Sequence, residues 1–135
     1  MATFKRFEEI EGWQKAREPA REVYRITNGG PFSRDFGLRD QIRRASVSIM
    51  ANVAEGFGRG GNKEFVAFLS IARGSCAEVK SHLYVAKDGG FIEPAEFNTL
   101  YSLASEAEGL PRGLMKYLAA SEARGRKFAE ANREP

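Results

Sequence analysis

Two runs in this chain carry the residue types that handle anions. The first is Gly56-Phe57-Gly58-Arg59-Gly60-Gly61, which fits G-x-G-x-x-G. In a dinucleotide-binding turn such glycines follow a strand and let a helix N-terminus approach a pyrophosphate. Here a helical pattern precedes them, so the run reads as one helix end leading into the next helix start. The phosphate-loop pattern also fails, because the lysine and hydroxyl positions counted from Gly56 hold Asn62 and Lys63. Simple anion docking at the following helix start remains, with Arg59 and Lys63 flanking it. The second run is Arg39, Arg43 and Arg44, joined one helix later by Arg73. Arginines so placed can contact phosphates, which positions a nucleic acid without reading its sequence. The competing reading is a solvated face, or ion pairs to a neighbouring helix. No aromatic row alternates with these residues, so they do not form a stacking platform for single strands.

Nothing comparable supports catalysis. His82 is the only histidine and Cys76 the only cysteine. They are six residues apart, which puts them on different faces of a helix. Cys76 falls on an apolar stripe, where a lone cysteine is a core residue. A nucleophile relying on His82 as base has no elbow motif to host it. A di-iron bundle needs Glu-x-x-His pairs, and there are none. One histidine and one cysteine make no zinc site. The expectation is therefore no enzyme, no metal and no cofactor.

A third pattern concerns contact rather than chemistry. Leu38, Ile42, Ala45, Ile49 and Val53 form an apolar helical stripe. Gln41, Arg44, Ser48, Asn52, Glu55 and Arg59 run beside it. Polar groups bordering a core must be hydrogen-bonded or they cost stability. The next helix has a flank of its own in Glu64, Ser75, Glu78 and His82. One flank is basic and the other acidic, so they can zip together within a subunit or between subunits. Gln41, Ser48, Asn52, Glu55, Glu64, Ser75 and Glu78 are expected to serve an oligomer contact, the preferred reading, or a buried polar network.

Four helices must position these residues, and no strand is evident. The first spans roughly Glu9 to Thr27, with Ile10, Trp13, Ala16, Ala20, Val23 and Tyr24 inward and Pro19 kinking or splitting it. Asn28-Gly29-Gly30-Pro31 stops it. The second starts near Ser33 or Asp35, either of which can cap it, and ends near Gly58. The third begins at Asn62 as N-cap, with Glu64 in its first turn. Its apolar positions are Phe65, Phe68, Leu69, Ala72, Cys76, Val79, Leu83 and Ala86, and Asp88-Gly89-Gly90 ends it. The fourth opens at Glu93-Pro94 and bends at Gly109-Leu110-Pro111 before Leu114, Met115 and Leu118. Short connections between amphipathic helices predict an all-α, antiparallel up-down-up-down four-helix bundle. Residues 1–120 read as one domain, and 121–135 as a charged tail that frays.

Composition agrees with that plan. The 135 residues are 42% hydrophobic and 29% charged, enough for one domain with a real core. Lys+Arg 21 against Asp+Glu 18 leaves a net charge of +3, which permits nucleic-acid binding without demanding it. Arginine outnumbers lysine about two to one, which suits bidentate phosphate contacts but also follows from a GC-rich genome. The single cysteine suits a reducing compartment. No secretory leader is evident, and no apolar run approaches the ~20 residues a membrane span needs. A cytoplasmic protein is expected.

The motifs also have a familiar order. Gln41-Ile42-Arg43-Arg44-Ala45-Ser46-Val47-Ser48-Ile49 followed by Ala51-Asn52-Val53-Ala54-Glu55-Gly56-Phe57-Gly58-Arg59 resembles the four-helix bundle family named for ribosomal-RNA intervening-sequence proteins. Trp13-Gln14-Lys15-Ala16 matches its opening signature. Lys63-Glu64-Phe65, Ile71-Ala72-Arg73-Gly74-Ser75 and Glu78 match its third helix. The resemblance implies a four-helix bundle and ring-forming homo-oligomers, with the pentamer as the expected state. The family is similar to the accessory variability protein of diversity-generating retroelements, a basic pentameric barrel that works with a reverse transcriptase and nucleic acid. It implies no catalytic residues. RNA, DNA or a nucleic-acid-processing protein are then the partners to expect besides a second copy of the chain. Two departures stand out: Met50 where the family often has proline, and Pro19 inside the first helix.

Overall fold

A computed structural model describes residues 4–133 in backbone, and the side chains of residues 4–109 and 111–120. Four helices build it: α1 (Glu11–Thr27), α2 (Phe36–Gly58), α3 (Asn62–Asp88) and α4 (Pro94–Arg133). Two short 3-10 turns, Phe7–Glu9 and Pro31–Arg34, precede α1 and α2. No strand occurs among the described residues. Neighbouring helices run antiparallel. Ser48 meets Ser75 and Gly56 faces Phe68 across α2 and α3, while Lys80 meets Glu108 and Tyr84 meets Phe97 across α3 and α4. Helix α1 packs on both α2 and α4, which closes the bundle.

Local chemistry sets the ends. The Asp35 carboxylate accepts from the Leu38 amide at 3.1 Å, satisfying one orphan donor of α2. Asn62 is not the cap of α3: it is the first helical residue, and the extended residue before it is Gly61, with no side-chain cap. The turn into α3 is set by Gly60 at φ 88, a conformation open to glycine at little cost. The first helix starts two residues later than the periodicity indicates, because Phe7–Glu9 close a separate 3-10 turn.

Two prolines expected to interrupt helices lie inside continuous helical segments. Pro19 lies inside α1 and does not split it. Its ring is fully buried, so apolar burial offsets part of the lost hydrogen bond. Helix α4 likewise passes through Pro111, also buried, without a break. The backbone of the charged C-terminal tail is helical through Arg133, over a segment rich in Ala, Glu, Lys and Arg, all strong helix formers. Residues 134–135 of that tail lie outside the described residues.

The apolar stripes meet in two joined clusters. The larger holds Ala16, Val23, Phe32, Ile42, Ile49, Val79, Leu83 and Leu100. The smaller gathers Ile10, Val53, Phe65, Leu69 and Leu118. Helices α2 and α3 come closest at Gly56, where an added Cβ would lie 2.7 Å from the Cβ of Phe68. Only a residue without a side chain permits that approach.

Candidate interaction surface

Three of the six basic residues singled out by spacing, Arg39, Arg43 and Arg59, are already engaged within the subunit. Arg43 reaches across from α2 to the last residue of α1. Its Nε donates to the Thr27 hydroxyl at 2.8 Å and its terminal nitrogen to the Thr27 carbonyl at 3.2 Å. That carbonyl is one of the acceptors a helix end leaves without an intrahelical partner. The same guanidinium stands 4.6 Å over the ring of Tyr24. Arg39 donates to the Ser33 carbonyl and to Asp40, and Arg59 pairs with Glu55 at 2.9 Å. Arg73 is half-buried, and its Nε is buried with no hydrogen-bond partner among the described residues. Arg44 and Lys63 are exposed and make no ion pair among the described residues. The six basic positions therefore do not converge on one site. Arg43 and Arg39 reach partners on other elements, whereas Arg59, and Arg39 through Asp40, pair with acids of α2 itself.

The polar stripe of α2 divides in two. Ser75 donates its hydroxyl to that of Ser48 at 2.8 Å. Asn52 donates its amide to the same hydroxyl at 2.9 Å and to the Ser48 carbonyl at 2.8 Å. Ser48, Asn52 and Ser75 thus form a hydrogen-bonded network at the α2–α3 seam. Gln41, Glu55, Glu64 and Glu78 stay exposed and outside it. The basic and acidic flanks do not zip together inside the subunit, because two serines occupy the contact.

The outward surface beyond that seam mixes small and apolar side chains with charges. On α2 it shows Val47, Ala51 and Gly58; on α3 it shows Ala67, Ile71, Gly74, Ala77, Ser81 and Val85. Ile71 is 51% and Val85 53% exposed. They lie two heptads apart with Glu78 midway and Glu64 one heptad before Ile71, so all four share one line along α3. Charge on this surface comes from Arg44 and the Glu55–Arg59 pair on α2 and from Glu64 and Glu78 on α3.

Residues that local patterning could not reveal sit elsewhere. Tyr24 was expected inward and is instead 46% exposed, because Arg43 covers one side of its ring and leaves it at the surface. It borders two adjoining grooves. One, of about 440 Å³, is lined by Asp40, Arg43, Arg44, Val47 and Ser48 besides Tyr24. The other, of about 310 Å³, is lined by Arg17, Ala20, Arg21, Met50 and again Tyr24. Between α3 and α4, Lys80 and Glu108 pair at 2.7 Å, and the lysine holds that carboxyl below its ordinary pKa. Cys76 is fully buried, and burial pushes its thiol up to about 12. No group of three or more His, Cys, Asp or Glu side chains that could hold a metal ion exists among the described residues. No described helix is long and apolar enough to cross a membrane.

Comparison with known proteins adds one family and one fold. The profile of the family described as 23S rRNA-intervening sequence protein matches residues 8–111. The chain is similar to a solved structure from Bacteroides thetaiotaomicron, a protein of unknown function from the S23 ribosomal protein family. Identity is 22% over 78% of this chain and 98% of the other, with a TM-score of 0.70. No curated protein matches.

Proposed function

The chain belongs to the 23S rRNA-intervening sequence protein family, and from that premise we propose that it is a non-enzymatic, self-associating scaffold of the cytoplasm. The observation that carries this reading is the outward face of α3, where Ile71 and Val85 stand half-exposed on one line among small residues. Covering those two side chains removes apolar surface from water at about 25 cal/mol per Å². Glycine and serine between them let a neighbouring helix approach closely. A second copy of the chain fits as occupant, since Glu78 and Arg44 offer the same face opposite charges, with only His82 at 3.9 Å beside Glu78. A ring of such contacts, of five members by family resemblance, multiplies a +3 subunit into a stronger field.

Size-exclusion chromatography with light scattering tests the scaffold. The wild type runs as an oligomer, and Ile71→Glu shifts it toward monomer with helicity unchanged. A wild-type monomer at micromolar concentration would overturn the reading.

A second reading has its own observation. Arg44 and Lys63 remain without ion-pair partners, and α1 adds Arg17 and Arg21 in the same condition among the described residues. The scaffold then serves as a nucleic-acid accessory, binding RNA or DNA through phosphates. Affinity should fall linearly in log–log terms as salt is added. Absence of any affinity for RNA or DNA at low salt removes this reading and leaves the scaffold as a protein-interaction module.

A further inference from the structure

The adjoining grooves on the α1–α2 side combine two features that the sequence keeps apart: an aromatic ring open to solvent and a row of cations. Arg17, Arg21 and Tyr24 stand at i, i+4 and i+7 on α1, so they line one face over about 10 Å. Arg44 of α2 continues the row past the tyrosine, in the groove that Tyr24 also borders. The ring is fixed from behind. Arg43 stacks on it at 4.6 Å and is itself held by two hydrogen bonds to Thr27. Of the acids near the row, Asp40 lines the groove itself but pairs with Arg39, Glu22 pairs with Arg25, and Glu18 stays on the neighbouring flank.

We propose that this groove binds single-stranded nucleic acid, with a base stacked on Tyr24 and the flanking phosphates held by Arg17, Arg21 and Arg44. The assignment rests on the second reading above and narrows its contact surface to the α1–α2 side. An open ring face selects a strand whose bases are unstacked, since a duplex hides its base faces. The cations lie on both sides of the ring along the groove, as phosphates lie on both sides of a stacked base. An acidic peptide would use the arginines and leave the tyrosine idle.

Fluorescence anisotropy with a labelled oligouridylate tests this across a salt series, on the full chain. Tyr24→Leu lowers affinity about tenfold without changing the salt slope. Arg17→Gln with Arg21→Gln flattens the slope by about 0.7 for each phosphate that is no longer neutralised. Melting curves accompany each variant; if Tyr24→Leu fails to fold, the arginine pair alone decides. Wild-type affinity that survives these substitutions overturns the groove while leaving nucleic-acid binding intact elsewhere. No wild-type binding removes both. Equal competition by polyglutamate, or equal affinity for duplex, also overturns the proposal.

Discussion

The outward face of α1 and the outward face of α3 are both solvent-facing sides of helices in one bundle, yet they are built from different residues. Helix α1 shows Arg17, Arg21 and Arg25, interleaved with Glu18 and Glu22. Helix α3 shows Ala67, Ile71, Gly74, Ser81 and Val85, with Glu78 in their midst. A helix that only faces water gains nothing from exposed isoleucine or valine, and loses about 1 kcal/mol for a mid-helix glycine relative to alanine. The α1 face is what solvent, or a charged ligand, asks for. The α3 face is what close packing asks for. The two are also anchored differently. Helix α3 packs its Phe65 and Phe68 side chains directly on the bare Gly56 of α2, whereas the end of α1 is tied to α2 by the Arg43 guanidinium.

Substitutions at those anchors break the comparison most strongly. Gly56→Val forces a side chain into Phe68 and Phe65 and should destabilise the protein by about 3 kcal/mol, read from urea unfolding. Unchanged stability would mean that the α2–α3 seam is looser than its geometry. Arg43→Met removes two hydrogen bonds from a charged donor and should cost about 2 kcal/mol. The substitution should also expose amides near the end of α1 to hydrogen exchange, while those of α3 stay protected. Gly74→Ala has the smallest effect and the most informative sign. A Cβ at Gly74 meets nothing within 4 Å in the subunit, so the subunit should gain about 0.5–1 kcal/mol from helix propensity. Weaker self-association in the same variant would separate the α3 face from an ordinary solvated one. Unaltered association would put the contact elsewhere.

Much of this architecture was legible from periodicity and caps. The stripe from Ile42 to Val53 is buried as a line, Asp35 caps α2, and Pro94 opens α4, because each follows from spacing within one helix. The misreadings concern partners distant in sequence. Tyr24 satisfies the inward period of α1, but a guanidinium from sixteen positions beyond Thr27 decides where its ring lies. Arg43 reads as a phosphate contact only until the helix end beside it is known. Ser48 and Ser75 were on the right flanks, but that they would close the seam in place of the charged residues depends on the register between α2 and α3. Pro19 misled for a different reason: the penalty of an interior proline is local, while the burial that offsets it is tertiary.

The glycine approach between α2 and α3 also bears on how quickly the chain finds its fold. The two helices that meet most tightly are consecutive and joined by a turn of only Arg59–Gly61. Closing so short a loop costs little chain entropy, so contacts such as Gly56 with Phe65 and Phe68 are reached early in the search. The α2–α3 hairpin is then the expected nucleus, with φ-values near 0.5–0.8 at Val53 and Leu69 and near zero at Val23 of α1. High values at Val23 would reverse that order. On this account the outward α2–α3 face is assembled before the bundle around it is complete.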